Sequence, residues 1–383
     1  MENIVVFAAG GGNDVFSAMV YIKTVVLSSF SIQNVALVGL LGLTPFHYPS
    51  ELQEKEIYTE PKSIVPTSEM VRYIPMNPPK KITCLERHIP LISSRIVPGL
   101  NKYLCVSSKY SIQEQTSNLF SILTAWNFSP NKTKLLIVDF GGDILSDGTE
   151  DTIISPELDA YTLCLVKNLN HLHRYTAETC IGFPGVDGEL PKDVLFQRCN
   201  QLSIRKESVN AQGWLESIDK ILSVIENERP GNTLPSIKKV LTNNPSTVEI
   251  SKKWRVGKEI LSKKMEVALD SKLQPFLWYF RLEDIMYNPY IAIFPEATVY
   301  NLKSMLVSLL EIYSRQDKTK DRFQSSDLFL GYLRKDRDGY WTNKELQLSS
   351  TIRDEIIYVD VFPGCIDPIQ CENIGSVVRW STL

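Results

Sequence analysis

No stretch of the 383-residue chain offers the roughly 18 consecutive apolar residues that a membrane-crossing helix needs, so a bilayer span is not expected. There is no long Lys/Arg run either. With 41 basic and 44 acidic residues the formal net charge is −3, which argues against a nucleic-acid-tracking surface. The seven cysteines (Cys84, Cys105, Cys164, Cys180, Cys199, Cys365 and Cys371) are odd in number and contain no Cys-x-x-Cys pair. That usage excludes a disulfide framework and fits a reduced, intracellular, cytoplasmic setting. The chain enters an apolar strand directly after Glu2, without the basic flank and cleavage pattern of a secretory leader. Histidine is scarce: of His47, His88, His171 and His173, the last two read as surface residues rather than zinc ligands.

Several nucleotide and hydrolase signatures are also missing. No Gly-x-x-x-x-Gly-Lys-Ser/Thr occurs, which excludes a P-loop, and the lack of Gly-x-Ser-x-Gly weakens a serine hydrolase. The first glycine-rich turn reads Gly10-x-Gly12-x-x-Val15, with a branched residue where the dinucleotide fingerprint needs Gly or Ala against the sheet. No acid follows the second apolar run, which continues Gly39-Leu40-Leu41-Gly42-Leu43, so an ordinary NAD site is not expected.

What is present is organised around Ile4 to Val20, IVVFAAGGGNDVFSAMV. An apolar run broken by three glycines and resumed as a helical pattern reads as a strand buried on both faces, a turn and a helix. Asn13 or Asp14 suits the N-cap. Further strands are expected at Asn34–Leu41, Leu104–Ser107, Lys134–Phe140, Thr179–Phe183, Tyr287–Phe294 and Ile356–Val361. Helices are expected over 15–28, 111–126, 156–169, 191–202 and 299–312, and throughout 212–270, where the lysines from Lys252 to Lys264 read as a solvated helical face. Residues 42–79, with seven prolines, read as an insertion over the sheet edge or the site. The expected class is α/β: three layers, a mostly parallel sheet with helices on both faces, Rossmann-like or macrodomain-like, plus an added helical segment. Residues 1–310 would form the ligand-binding and catalytic domain, with a helical insertion at about 205–275. Residues 311–383 would be an extension packed upon it.

One event recurs: an apolar strand ends in Gly and Asp at Gly10–Asp14, at Gly141-Gly142-Asp143, and at Gly185-Val186-Asp187-Gly188-Glu189. If the three strands share a sheet, their turns share the edge at which open parallel sheets bind ligands. Bare backbone N–H groups suit phosphates, carboxylates suit ribose hydroxyls, and paired carboxylates supply the acid and base for cleaving a glycosidic bond. The candidate catalytic residues are Asp14, Asp143 and Asp187. The candidate binding residues are Gly10, Gly11, Gly12, Asn13, Gly141, Gly142, Asp159, Gly185, Gly188 and Glu189, with Asp147 nearby in sequence. Each also has a plainer reading: Asp14 as a helix cap, Asp143 and Asp187 as turn formers, Asp159 as an exposed or backbone-capping helix residue. No resident metal or cofactor is expected, though the acidic rim leaves a carboxylate-held Mg²⁺ open.

The runs GGGNDVFSA, DFGGDIL, SPELDA and GVDGELP resemble, in order and spacing over residues 4 to 310, a prokaryotic domain-of-unknown-function family. The chain departs from that pattern at Asn13, Phe16 and Ser17. More weakly, the Ala-Gly-Gly-Gly-x-Asp turn resembles the ADP-ribose loop of macrodomains. The chain is also similar to bacterial effectors that remove ADP-ribose from arginine on host proteins. That resemblance implies a metal-independent glycohydrolase whose partner is ADP-ribose or an ADP-ribosylated protein. Gly10 to Asn13 would then hold the diphosphate or distal ribose, and Asp14, Asp143 and Asp187 would hold ribose hydroxyls and activate water. A nucleotide-metabolite binding protein without turnover is the alternative.

Overall fold

The apolar run that opens the chain is covered on both sides. Strand β1 (Asn3–Ala8) sends Val5, Phe7 and, just beyond its end, Ala9 into one core, and Val6 and Ala8 into the other, all at most 1% exposed. The computed structural model describes residues 2–10, 14–29, 32–41, 71–72, 89–100, 102–107, 111–146, 156–225, 233–256, 259–286, 291, 334–335 and 341–342. Within them, β1 is followed by α1 (Asp14–Tyr21), β2 (Asn34–Leu41), β3 (Val71–Arg72), α2 (Ile89–Ile96), β4 (Lys102–Ser107), α3 (Ile112–Ala125), β5 (Thr133–Phe140) and α4 (Pro156–His173). Then come β6 (Thr176–Gly182), α5 (Lys192–Leu202), β7 (Ser203–Ser208), α6 (Ala211–Val224), α7 (Thr233–Asn243), β8 (Thr247–Val256), β9 (Glu259–Ala268) and β10 (Phe276–Arg281).

Eight strands form one sheet in the order β3-β4-β2-β1-β5-β6-β10-β7. The pairings β4·β2, β2·β1, β1·β5 and β5·β6 are parallel; β3 and β10 run antiparallel to their neighbours. Residues of α3, α4 and α5 pack on one face, and residues of α1, α2, α6 and α7 on the other. This is the expected three-layer α/β architecture. Helix α3 begins as its sequence dictates: Ser111 accepts from Glu114 N–H at 3.2 Å while the Glu114 carboxylate accepts from Ser111 N–H at 3.2 Å, a reciprocal capping box.

The segment expected to be helical over 212–270 is helical only to Asn243. Beyond it, β8 and β9 pair as an antiparallel hairpin from Thr247↔Ala268 to Val256↔Glu259. Lysine and glutamate content favours helix, but the spacing by two of Val248, Ile250, Trp254 and Val256, with Gly257-Lys258 between the strands, is a hairpin signal that outweighs it. Val248 and Ile250 are 2% and 1% exposed and join the core that α1 lines. Strands β7 and β10 were not foreseen either, because β7 is polar and exposed along nearly its whole length. The expected strand at 356–361, the helix at 299–312, nearly all of the strand at 287–294, most of 42–79, and the 311–383 extension apart from two short strand pieces lie outside the described residues. Among the described residues, no helix is long and apolar enough to cross a membrane.

Val15, which breaks the dinucleotide fingerprint, still lies close to the sheet. The space is provided from the strand side: a Cβ on Gly39 of β2 would lie 2.8 Å from Val15 Cγ2 and 3.3 Å from Cys105 Sγ. The close helix–sheet approach thus survives with the glycine on the other partner. Gly39→Ala should therefore cost about 1–3 kcal/mol through overpacking. Urea denaturation of the variant beside wild type checks this, and Val15→Ala in the same chain should recover part of the loss.

Candidate functional site

The chain leaves β1 toward β2 and β4 on one side of the sheet, and returns to fill the other side with β5 and β6. The order therefore reverses between β1 and β5, and the crevice beyond their carboxyl ends is where such sheets bind ligands. The two strands are in register from Asn3↔Thr133 to Ala8↔Val138, and Ala9 N–H continues the ladder by donating to Val138 O at 2.9 Å. Ala9 therefore lies opposite Asp139, which still pairs with Ile181 of β6, and Gly10 leaves the sheet beside Phe140, the last residue of β5.

Five aspartates from four separate segments converge there. Asp14 opens α1 and is half-buried. Asp159 lies one turn into α4, on the opposite layer, and is 1% exposed. Both close over the bare Cα of Gly10, where an added Cβ would stand 2.6 Å from Asp14 Oδ2 and 3.3 Å from Asp159 Oδ1. Asp139, at the end of β5, is 2% exposed and hydrogen-bonded to Asp143, which is in turn hydrogen-bonded to Asp159. Asp143 is half-buried and starts the short 3₁₀ turn Asp143–Leu145. The chain reaches that turn through Gly141 and Gly142, whose φ values of +130° and +104° are the left-handed conformations that favour glycine. Asp187 lies in the turn after β6, packed where a Gly141 side chain would be, and its Oδ1 accepts from Glu189 N–H at 3.2 Å.

Not every candidate faces this cluster. A Cβ on Gly142 would meet Leu195 of α5, one on Gly185 would meet Leu195 and Leu269, and one on Gly188 would meet Val267 and Ile250 of the hairpin. On the Cβ side, these three glycines make room for apolar packing. Glu189 is close enough for its charge to act on Asp14 and Asp143. Gly11, Gly12, Asn13 and Asp147 lie outside the described residues. His171 is exposed, and His173 stacks on Phe120 at 3.7 Å between ring centroids. Asp139 was missed in the sequence because it reads as part of the apolar strand KLLIVDF. The available signal was a lone acid inside a buried run at a strand's carboxyl end.

The electrostatics of the cluster are one-sided. Burial pushes the Asp14 carboxyl well above the usual aspartate range, and the neighbouring Asp143, Asp187 and Glu189 push it further. Burial also raises Asp139, Asp143 and Asp159, helped by their charges on one another. Among the described residues, no Lys or Arg forms an ion pair with Asp14, Asp139, Asp143 or Asp159. Glu178, toward the other end of β6 and 4% exposed, shows the contrast: its carboxylate is held by both Lys134 and Arg205. In addition, Asp139 Oδ2 and Asp159 Oδ2 are buried without a hydrogen-bond partner. Among the described residues, no group of three or more ligand-type side chains has the arrangement of a metal site.

A protein-family model described as a protein of unknown function (DUF1152) matches residues 93–241. No curated protein and no solved structure matches the chain. Over that stretch the chain is similar to a domain-of-unknown-function family, a shorter span than the 4–310 that the sequence resemblance implied. The match takes in Asp139, Asp143, Asp159, Asp187 and Glu189, and leaves out the turn after β1.

The raised carboxyls make stability depend on pH in a definite direction. The folded cluster keeps protons that the unfolded chain releases above the ordinary aspartate value of 3.8. Its contribution is therefore complete below that value and is lost as pH rises toward the folded values. Each such group costs about 1.4 kcal/mol per pH unit across that window. Asp139→Asn keeps the shape and removes one such group, so its melting temperature should gain on that of wild type as pH rises above the ordinary aspartate value of 3.8. Thermal denaturation across that range measures the gap; a gap that narrows with rising pH contradicts the assignment.

Proposed function

We propose that the protein hydrolyses the N-glycosidic bond linking ADP-ribose to arginine side chains of proteins. The observation that carries this reading is the pair of buried acceptor oxygens without partners, Asp139 Oδ2 and Asp159 Oδ2, beside Asp14 and Asp143, four carboxyls that no described Lys or Arg pairs with. Such a cluster suits a ligand rich in donors and carrying local positive charge. Ribose hydroxyls supply the donors, and the arginine guanidinium supplies a planar, multiply donating cation. An unpaired buried acceptor is costly, and a ligand that satisfies it removes that cost.

The reaction assigned to this site transfers the ribosyl anomeric carbon from the guanidine nitrogen to water. One rim carboxylate, Asp14 or Asp187, takes a proton from the attacking water. The carbon–nitrogen bond breaks, and the departing nitrogen gains a proton from a neighbouring carboxyl. The remaining carboxylates hold the ribose hydroxyls. In this reading, backbone N–H groups of the Gly10–Asn13 turn take the diphosphate or distal ribose. Two carboxyls with different environments are what glycoside hydrolysis requires, since one must hold a proton while the other is charged.

The test is release of free ADP-ribose from an ADP-ribosylated arginine peptide. Wild type should release it, and Asp14→Ala and Asp143→Ala should each slow release by about 100-fold or more. No release at enzyme excess overturns the hydrolase reading. Thermal stabilisation by ADP-ribose without release is the behaviour expected of a non-catalytic binding protein for this metabolite class. Full activity in both variants overturns the residue assignment.

A further inference from the structure

We propose that Ile250 and Val267, at the base of the β8–β9 hairpin, are positioning residues for Asp187: acting through Gly188, they seat the turn after β6 against Gly141 and so fix the carboxylate at the rim. The catalytic consequence rests on the glycohydrolase reading, and the seating of the turn on packing alone.

The turn from Phe183 to Glu189 has two sides. On one side it meets the end of β5. Gly141 N–H donates to Gly182 O at 3.2 Å, Gly185 N–H donates to Gly141 O at 2.5 Å, and the Asp187 carboxylate occupies the space that a Gly141 side chain would fill. On the other side it meets the hairpin. A Cβ on Gly188 would stand 2.5 Å from Val267 Cγ2 and 2.7 Å from Ile250 Cδ1, so both side chains pack against the backbone next to Asp187. The hairpin holds these atoms in place by its own closure: Val267 pairs with Val248, Leu269 N–H donates to Ser246 O at 2.8 Å, and Val248 and Ile250 are sunk into the core that α1 lines.

The turn needs support from outside. Phe183, Gly185 and Gly188 are all left-handed, with φ values of +51°, +91° and +71°. For Phe183 that conformation is unfavourable and persists only where its surroundings over-determine it. The hydrogen bond that Asp187 Oδ1 accepts from Glu189 N–H is internal to the turn. It fixes the side chain relative to the turn, not the turn relative to β5. Packing from the hairpin supplies the second constraint, because close-packed side chains transmit a displacement rather than absorb it. Gly188 is the point of transmission, since a side chain there would hold hairpin and turn apart. The demand on placement is strict: a reacting group misplaced by about 1 Å loses about 100-fold in rate.

Hydrogen exchange of the Gly185 amide reports the seating without reference to activity, because that N–H bridges the turn to Gly141. In Val267→Ala its protection should fall about tenfold while the amides of β1 and β5 keep theirs. The kcat/KM for ADP-ribose release should fall about tenfold as well. Gly188→Ala alone, which collides with Val267, should also lower both. Added to Val267→Ala, it places a methyl in the vacated space and should restore part of both, a reversal that loss of core packing does not produce. Ile237→Ala, in α7 and buried in the same core, is the control and should leave both unchanged. Unchanged Gly185 protection in Val267→Ala, an equal loss in Ile237→Ala, or a double variant worse than either single overturns the seating. If Val267→Ala fails to fold, Ile250→Val, which deletes only the Cδ1 methyl, should show the same loss in smaller measure; intact Gly185 protection there overturns it too. Lost protection with undiminished release retires the role of the hairpin in the reaction. No release by any form retires the glycohydrolase reading and the catalytic consequence with it, and leaves the exchange data to decide the seating.

Discussion

The parallel register between β1 and β5 is the constraint on which the site depends. Running from Asn3↔Thr133 to Ala8↔Val138 and prolonged by the Ala9–Val138 hydrogen bond, it brings two strand ends more than 120 residues apart in sequence to one place. A slip by one residue would turn Asp139 from the face covered by α4 to the face covered by α1, because successive side chains alternate across a strand. Successive side chains of both strands alternate between two cores, with Val5, Phe7, Leu135 and Ile137 in one and Val6, Ala8, Leu136 and Val138 in the other. Packing of ordinary hydrophobic residues thus fixes the position of groups whose chemistry is anything but ordinary.

Those groups are placed against their electrostatic preference. The same fold shows how a buried acid is normally accommodated, since Glu178 is met by Lys134 and Arg205. Asp14, Asp139, Asp143 and Asp159 have no such pairing among the described residues, and burial together with their neighbours' charges raises their proton affinity instead. Local violations of this kind, tolerated by an otherwise consistent structure, are characteristic of sites that act on something.

Much of this was legible in the sequence, because the core strands announce themselves. The runs at Ile4, Asn34 and Lys134 are short, rich in β-branched and other apolar residues and bounded by turn residues, as strands buried on both faces are, and the Gly-Asp punctuation marked which ends would meet. Asp14, Asp143, Asp159 and Asp187 were therefore within reach of sequence reasoning. Asp139 was not, since only its depth separates it from a surface acid, and depth is a tertiary property. The roles of Gly142, Gly185 and Gly188 were hidden for the same reason: a glycine that admits a ligand and one that admits a leucine look alike in sequence. The hairpin of β8 and β9 was lost to composition, where lysine and glutamate spoke for helix against a period-two pattern.

The strand order has a consequence for how the chain becomes a folded object. Strands β6 and β7 follow one another closely in sequence, yet β10 lies between them, arriving only at Phe276. During synthesis, the sheet on that side stays incomplete until the hairpin has emerged. Likewise, the stretch matched by the family model, 93–241, contains β4, β5, β6 and β7 but lacks β1 and β2 on one side and β10 on the other. Cut out, its strands would fall into three separate pieces with unpaired edges and exposed apolar faces. The stretch that the family model matches is thus not an autonomous folding unit, and a boundary drawn around it would sever the sheet.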